Sequence, residues 1–388
     1  SKMKTFIKFI IISTLSLIIF FQNASSSEKI KIGLIVPISG EHSKLGNSII
    51  KSVRLAINKI NDDRIEVIPK DTRANPIHSL RASKELYDQG VRVVIGPVFN
   101  ESTKYLDELK DVTFISLTNK IYGNPSNVIS AGVNAISQIN TIKKFTKFKN
   151  LERSIFLIPK TDYKKEIDLA IIKTNIKLKD KFYYDTDPTL LTGQIEKLTR
   201  YPQRKQNLKD EIIRLENSLI QNKEKKIESL KKRDTLGGIN FDSVIIADFD
   251  ESLKSVATSL LYTDVSSKRI SYLTLNQWFD ESLLKETSLH PIYFPSINKK
   301  NYDMFIDEYN SIYKSKPNQI SFLSYDIAGL VYYLIYKNDF KISENIFYKK
   351  NKFKGKIGIF EINKNVITHQ LNFYSIENNQ FKKIFWFF

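Results

Sequence analysis

The sequence predicts an α/β protein of two Rossmann-like lobes with parallel sheets, plus a long helical insertion in the second lobe. Three observations predict it. Short apolar strands alternate with helices of about 10–15 residues in two consecutive series, one starting near Lys29 and one near Ile136. The chain has 388 residues, more than one ordinary domain. One stretch, residues 203–233, interrupts the alternation with almost pure helix formers.

The first series opens with Lys29 to Asn58, KIKIGLIVPISGEHSKLGNSIIKSVRLAIN. Ile30, Ile32, Leu34 and Ile35–Val36 predict a buried strand. Pro37, Ser39 and Gly40 break it. From about Ser43 the pattern is helical, with Leu45, Ile49, Val53 and Leu55–Ala56–Ile57 on one face. A strand ending in a Ser-Gly turn and feeding a helix opens a βαβ unit, and ligands bind beyond the carboxyl ends of such strands. The series continues as strand Ile65–Ile68, helix Pro76–Gln89, strand Val91–Gly96, helix Ser102–Leu109 and strand Thr113–Leu117, then a polar loop from Thr118 to Asn127.

The second series follows with helix Ser137–Phe148, strand Ser154–Pro159, helix Tyr163–Thr174 and strand Phe182–Tyr184. Beyond the insertion come strand Phe241–Asp248, helix Ser252–Tyr262 and strand Arg269–Leu275. Asn134–Ile136 and Leu275–Trp278 are the expected crossovers. The expected division is 27–135 for the first part of lobe 1, 136–276 for lobe 2, 277–365 for the return to lobe 1 and 366–388 for C-terminal strands near the hinge or lobe 2. Helices Tyr302–Tyr313 and Ser324–Tyr336 belong to the return, and aromatic-rich hairpins close the chain from Gly355.

The segment before the first strand predicts the compartment. Lys2, Lys4 and Lys8 precede an apolar run from Phe9 to Phe21, followed by Ala24-Ser25-Ser26-Ser27. This is the layout of a signal peptide, residues 1–26, cleaved near Ser26 for export to a periplasm. The run is shorter than the ~20 residues of a spanning helix, so the mature protein is not expected to be membrane-embedded. There is no Cys, which removes lipid attachment through Cys, disulfides, metal thiolates and Cys nucleophiles.

The chain carries 60 Lys and Arg against 42 Asp and Glu, a net charge of +18; residues 1–26 hold three of the lysines and no acid. An excess of base can mark nucleic acid or a membrane surface. No nucleic-acid motif is present, and Lys, Asn, Ile, Phe and Tyr are abundant along the whole chain, which fits a compositional bias. No nucleic-acid partner is expected.

In the insertion, Leu208, Ile212, Leu215 and Leu219 fall at coiled-coil-like spacing. As one helix, residues 203–233 would be about 45 Å long, too long for a crossover. Ten basic and five acidic residues make it mostly solvated. It is either a docking arm or a helix packed along its own lobe.

Enzyme readings find no support. The four histidines, His42, His78, His290 and His369, show no metal-ligand spacing. There is no GxSxG, Walker loop or GxGxxG, and Gly33, Gly40 and Gly46 fall at the wrong spacing for a dinucleotide loop. No catalytic residue, cofactor or metal is expected.

Four anchors carry a family resemblance: Val36-Pro37-Ile38-Ser39-Gly40, Val94-Ile95-Gly96-Pro97, Phe114-Ile115-Ser116 and Ser324-Tyr325-Asp326. In this order the chain resembles type I periplasmic binding proteins of the Leu/Ile/Val-binding family. The resemblance implies two lobes joined by three crossovers around a ligand cleft. Within that family it is most similar to a divergent branch of penicillin-binding protein activators. That finer likeness rests on the charged insertion after Tyr201-Pro202, on Asp234-Thr235-Leu236-Gly237, on the strand from Phe241-Asp242 to Ala247-Asp248, and on Gln277-Trp278-Phe279-Asp280.

The resemblance implies a solute-binding protein of an ABC importer that binds an amino acid or similar small polar ligand and delivers it to a membrane permease. The alternative is a regulator that docks on a peptidoglycan synthase. It also implies where a ligand would sit. Ser39, Asn100, Ser102, Thr103, Thr118 and Asn119 would contact it from one lobe, with Asn100 capping a helix whose N-terminus would attract a carboxylate. Glu101 in that first turn would oppose an anion. Asp248 would pair with an amine, and Phe249 and Trp278 would stack on the ligand. Where amino-acid binders place an acid near the last crossover, this chain has Asn276–Gln277, and an uncompensated ammonium group in a closed cleft is costly. Trp278 serves equally well as interlobe core.

Overall fold

The computed structural model describes residues 28–384. The expected signal segment, residues 1–26, lies outside the described residues. The first unit of the fold is β1 (Ile30–Val36), α1 (Ser43–Ile60), β2 (Ile65–Asp71), α2 (Pro76–Asp88), β3 (Val93–Ile95), β4 (Thr113–Ser116) and β5 (Val128–Ser130). Helix α1 forms because Ile49, Val53 and Ala56 recur on one face and bury against β1 and β3, and it stops at Asn61, whose φ of 53° is left-handed. Gly46 lets that helix start against the end of β1, since a Cβ there would lie 1.7 Å from the Pro37 carbonyl oxygen. Asn75 caps α2, its Oδ1 accepting from the Ile77 and His78 N–H groups at 2.9 and 3.2 Å.

The second unit is α3 (Ala135–Phe148), β6 (Ser154–Pro159), α4 (Lys164–Thr174), β7 (Asp180–Tyr184), α5 (Pro188–Leu198), α6 (Tyr201–Glu216), α7 (Lys223–Lys231), β8 (Ser243–Ile246), α8 (Asp250–Tyr262), β9 (Ser271–Thr274) and β10 (Ile292–Ser296). The chain then returns as α9 (Lys299–Tyr313) and α10 (Ile320–Lys337). It ends with β11 (Asn351–Lys354), β12 (Ile359–Asn363), β13 (Val366–Gln370), β14 (Asn372–Glu377) and β15 (Gln380–Ile384).

Two sheets result. One runs β11-β12-β13-β5-β4-β3-β1-β2 and the other β15-β14-β10-β9-β8-β6-β7. Each is parallel through its βα portion and gains antiparallel strands at one edge. These are two Rossmann-like α/β lobes. Helix α10 docks on α1 through buried hydroxyls, with Ser48 Oγ and Ser321 Oγ 2.5 Å apart and Ser52 Oγ donating to the Ser321 carbonyl.

The chain passes between the sheets three times: after β5, after β10 and at Leu371 between β13 and β14. The second passage falls later than Leu275–Trp278, because Ile292 and Tyr293 still pair with Tyr272 and Leu273 in the second sheet. The expected C-terminal boundary at 366 also shifts. Val366 pairs with Ser130, so β13 belongs to the first sheet, and only β14 and β15 join the second.

Two helices differ from expectation. Residues 102–109 form only two short 3₁₀ turns, Asn100–Thr103 and Leu106–Glu108. The insertion is a helical hairpin, α6 and α7, instead of one long rod. The seam Leu208–Leu215 is buried on α6, but Asn217–Asn222 carry no apolar continuation inward and the chain turns back. No helix among the described residues is long and apolar enough to cross a membrane.

Candidate functional site

The carboxyl ends of β3, β4 and β5 in the first lobe face those of β6, β8 and β9 in the second across a cavity of about 1040 Å³. An open parallel sheet places ligands at such ends. The first lobe contributes Asn100, Thr118, Asn119 and Gly132, and the second contributes Tyr163, Glu166, Phe249, Asn276 and Trp278.

Serines at the ends of β4 and β5 fix the loops that follow β3 and β4. Ser116 Oγ donates to the Pro97 carbonyl at 2.7 Å, and Ser130 Oγ donates to the Thr118 carbonyl at 2.9 Å. A Cβ at Gly132 would meet the Thr118 oxygen at 2.6 Å, so only glycine lets the first crossover pass this close. Asn100 Oδ1 is buried without a hydrogen-bond partner.

The opposite wall is aromatic and conformationally strained. Trp278 and Phe279 both have left-handed backbones, φ 50° and 57°, as does Asp250 at φ 50°. Such a conformation costs roughly 1–3 kcal/mol per non-glycine residue and persists only where the surroundings enforce it. Here they do. Asn276 Oδ1 accepts from the Trp278 N–H at 2.9 Å and from Ser296 Oγ at 2.7 Å. Phe279 is locked edge-on against Tyr374 and Phe381. Asn276 is also fixed from the first crossover helix, since its N–H donates to Gln138 Oε1 at 2.9 Å. With Oδ1 so engaged, the amide orientation is set, and Nδ2 is left buried without an acceptor.

Two acids line the cavity, the exposed Asp162 and the buried Glu166. Glu166 is 6% exposed, and its carboxylate accepts only the Ile121 N–H, at 3.2 and 3.3 Å. Burial raises its pKa, against the pull of that hydrogen bond and of Lys120 and Lys173. The Tyr163 hydroxyl is raised as well, by burial first and by Glu166 second.

Of the nine residues singled out from the sequence, Asn100, Thr118, Asn119, Phe249 and Trp278 line the cavity. Four do not. Ser39 is exposed, and its Oγ donates to Asp71 Oδ2 at 2.5 Å to close the turn after β1. Burial alone would raise the Asp71 pKa, but hydrogen bonds from Ser39, Arg73 and Ile38 lower it. Ser102 Oγ is buried without a partner, and Thr103 Oγ1 donates to the Asn100 carbonyl at 2.7 Å. Both sit on a four-residue 3₁₀ turn that Asn100 does not cap, so no helix N-terminus stands there for a carboxylate. Glu101 and Thr103 border a separate depression of about 280 Å³. Asp248 turns back into its own lobe, accepting from Tyr184 Oη at 2.8 Å and from the Phe249 N–H at 2.9 Å, and burial raises its pKa.

Glu166 and Tyr163 were missed, although the same rule reaches them. They follow the end of β6, a strand plain in the sequence. Asn276 was read as a missing acid, and its unpaired amide depends on partners at positions 138 and 296 that no local pattern reveals. Among the described residues no cluster of His, Asp and Glu side chains is arranged to hold a metal ion.

The comparisons agree with this architecture. Residues 29–166 match the sequence model of the periplasmic binding protein family. The curated protein sequences give no match. Among solved structures, the branched-chain amino acid transporter substrate-binding protein LivJ from Streptococcus pneumoniae, in complex with isoleucine, is similar at 17% identity and a TM-score of 0.54, covering 92% of this chain and 99% of that one. A putative branched-chain amino acid ABC transporter protein from Rhodospirillum rubrum is similar at 12% identity and a TM-score of 0.68, with 92% and 100% covered. The C-domain of LpoA from Haemophilus influenzae, a regulator of PBP1A, is similar at 12% identity and a TM-score of 0.61, also with 92% and 100% covered. The resemblance to the periplasmic binding protein family thus holds at both levels, as a sequence match over residues 29–166 and as a shared two-lobed fold over the described chain.

Proposed function

We propose that this chain is an exported, non-enzymatic solute-binding protein that closes on an amino acid or similar small polar ligand and delivers it to the permease of an ABC importer. One observation carries the reading. Asn276 lines the interlobe cavity, and its amide Nδ2, locked by the bonds of Asn276 Oδ1, is buried in the cavity wall without a partner, where closure of the lobes on a ligand would engage it. A buried donor without an acceptor costs about 1–3 kcal/mol, which a ligand oxygen would recover. Asn100 Oδ1, unpaired across the cavity, would take a donor from the same ligand. Glu166, instead of Asp248, would face an ammonium group, and Tyr163, Phe249 and Trp278 would cover the apolar part.

The test is a thermal-shift and fluorescence screen against amino acids, small peptides and cell-wall fragments. Trp278 lines the cavity, so a ligand-dependent change in tryptophan emission that Trp278→Phe abolishes reports on it. A bound ligand raises the melting temperature by several degrees once it is well above its Kd. Asn276→Asp keeps the oxygen used by Trp278 and Ser296 but loses the donor, and is expected to weaken binding about ten-fold, as one lost hydrogen bond would. No response to any compound would remove the solute-binding reading.

A second reading has its own support. The LpoA C-domain, described as a regulator of PBP1A, is similar over its whole length, and the α6–α7 hairpin adds nothing to the cleft. The chain would then use the same fold as a scaffold docking on a peptidoglycan synthase. Ligand silence in the screen, with capture of such a synthase by the intact protein, would favour it.

A further inference from the structure

We infer that the tip of the α6–α7 hairpin is a peripheral anchor for an anionic lipid bilayer surface. The hairpin has a rigid root and a bare tip. At the root, Arg204 is 2% exposed, and its guanidinium donates to the carbonyls of Thr263 and Asp264 at 2.8 and 3.0 Å and to Thr235 Oγ1 at 3.1 Å. Tyr201 Oη donates to Asp234 Oδ2 at 2.8 Å, tying the two ends of the insertion together. From there α6 runs 16 residues, a length of about 24 Å.

Beyond it no residue is fully buried before Thr235, although Ile227 and Leu230 are half-covered. Helix α7 contains no buried residue. The turn between the helices exposes Leu219 completely, at 102%, and Ile220 at 39%, with Ile213 at 53% on the preceding turn of α6. From Asn217 to Arg233 the chain carries six basic residues and two acidic ones, Glu224 and Glu228. Lys225 and Lys226, on the first turn of α7, form no ion pair among the described residues, while Lys231 and Lys232 lie at the other end of α7, back toward the root. The ion pair on α6 between Arg214 and Glu211 lies further toward the root.

Aliphatic side chains at the apex of a turn, with the unpaired Lys225 and Lys226 on the first turn of α7 beside them, match a bilayer interface. The apolar tip enters the headgroup boundary and the ammonium groups meet the anionic phosphates. A protein partner would have to offer a pocket for that apex, whereas a fluid interface needs none.

The experiment is co-sedimentation of the chain without residues 1–26 with vesicles of phosphatidylcholine, with or without about one-third phosphatidylglycerol, a content at which each nearby lysine adds to binding. Binding is expected only to the anionic vesicles and should fall steeply with salt. Changing Lys225 and Lys226 to Gln should weaken it at least about ten-fold. Leu219→Ser with Ile220→Ser should weaken it several-fold and leave the remainder salt-sensitive. Changing four exposed lysines elsewhere, Lys110, Lys147, Lys177 and Lys300, to Gln should change it less than about two-fold, and circular dichroism checks that every variant is folded. Three results overturn the inference: no binding to anionic vesicles, an equal loss in the control variant, or no effect of the Leu219 and Ile220 changes. Capture of an acidic protein in place of vesicles falls under the first.

Discussion

The two walls of the cleft are built by opposite means. The first-lobe wall is made of short polar side chains and main chain, held by hydrogen bonds from the ends of β4 and β5 to the loops after the neighbouring strands β3 and β4, all between residues 97 and 130. The second-lobe wall is aromatic, with two successive left-handed residues that only distant partners hold in place: Asn276 with Gln138 and Ser296, and Phe279 with Tyr374 and Phe381. A wall of the first kind is written in one stretch of sequence. A wall of the second kind exists only once the chain is folded, and it stores strain that a ligand-binding site can use.

The largest test of that difference lies where the second lobe holds its insertion. Arg204→Ala leaves the carbonyls of Thr199, Thr263 and Asp264 without their buried donor. Removing one partner of a buried charged network typically costs about 3–5 kcal/mol. Urea unfolding should show a loss of that size in unfolding free energy, read as a lower midpoint at unchanged slope. Arg204→Lys should restore only part of it, because an ammonium group cannot donate as a planar fork to four acceptors. A loss below about 1 kcal/mol, the range of a surface contact, would show that the hairpin root does not depend on this side chain.

The same contrast sets what the sequence revealed. Strands β1, β4 and β6 have apolar centres bounded by turn residues, and their ends were readable, as were Asn100, Thr118 and Asn119 near the site. The family model likewise matches residues 29–166, which hold the first-lobe wall and the end of β6. Phe249 and Trp278 were found by the same strand-end rule. Ser102 and Thr103 were misplaced because a first-turn pattern of Asn, Ser and Thr does not distinguish a helix from a 3₁₀ turn. The hairpin was read as one rod because helix formers dominate on both sides, and the turn-favouring Asn217, Ser218 and Asn222, the last left-handed at φ 63°, were passed over. The second crossover was placed too early because the pairing of β10 with β9 and β14 is non-local.

A second test concerns acid. His369 on β13 of the first lobe is buried, with Nε2 2.9 Å from the Ala131 carbonyl oxygen and Nδ1 unpartnered. Burial, only partly offset by that carbonyl, pushes its pKa down to about 4. The unfolded chain therefore takes up a proton here before the native one does. Native stability should be complete above pH 6.5 and fall as pH drops through about 4, by up to about 3 kcal/mol. His369→Gln should remove that slope, whatever it does at pH 7. A wild-type midpoint that stays flat between pH 6.5 and 4 would contradict it.

The smallest effect has the opposite sign and comes from the second lobe. Burial raises the pKa of Glu166 above its ordinary value of 4.5, so the native state holds this proton more tightly than the unfolded one. Its contribution to stability is greatest below 4.5 and is lost as pH rises through the raised native value. Gln at this position keeps an oxygen for the Ile121 N–H and never ionises. Glu166→Gln should therefore be at least as stable as wild type at pH 7, by no more than about 1 kcal/mol, and should lose the dependence above pH 4.5. The same variant asks why a buried carboxylate with one weak donor stands in the cleft at all. If it faces an ammonium group of the ligand, the variant gains stability and loses affinity, the exchange expected where a site keeps a costly group for function. If it only fastens Ile121 to α4, stability changes and affinity does not. Measuring both in one protein separates the two.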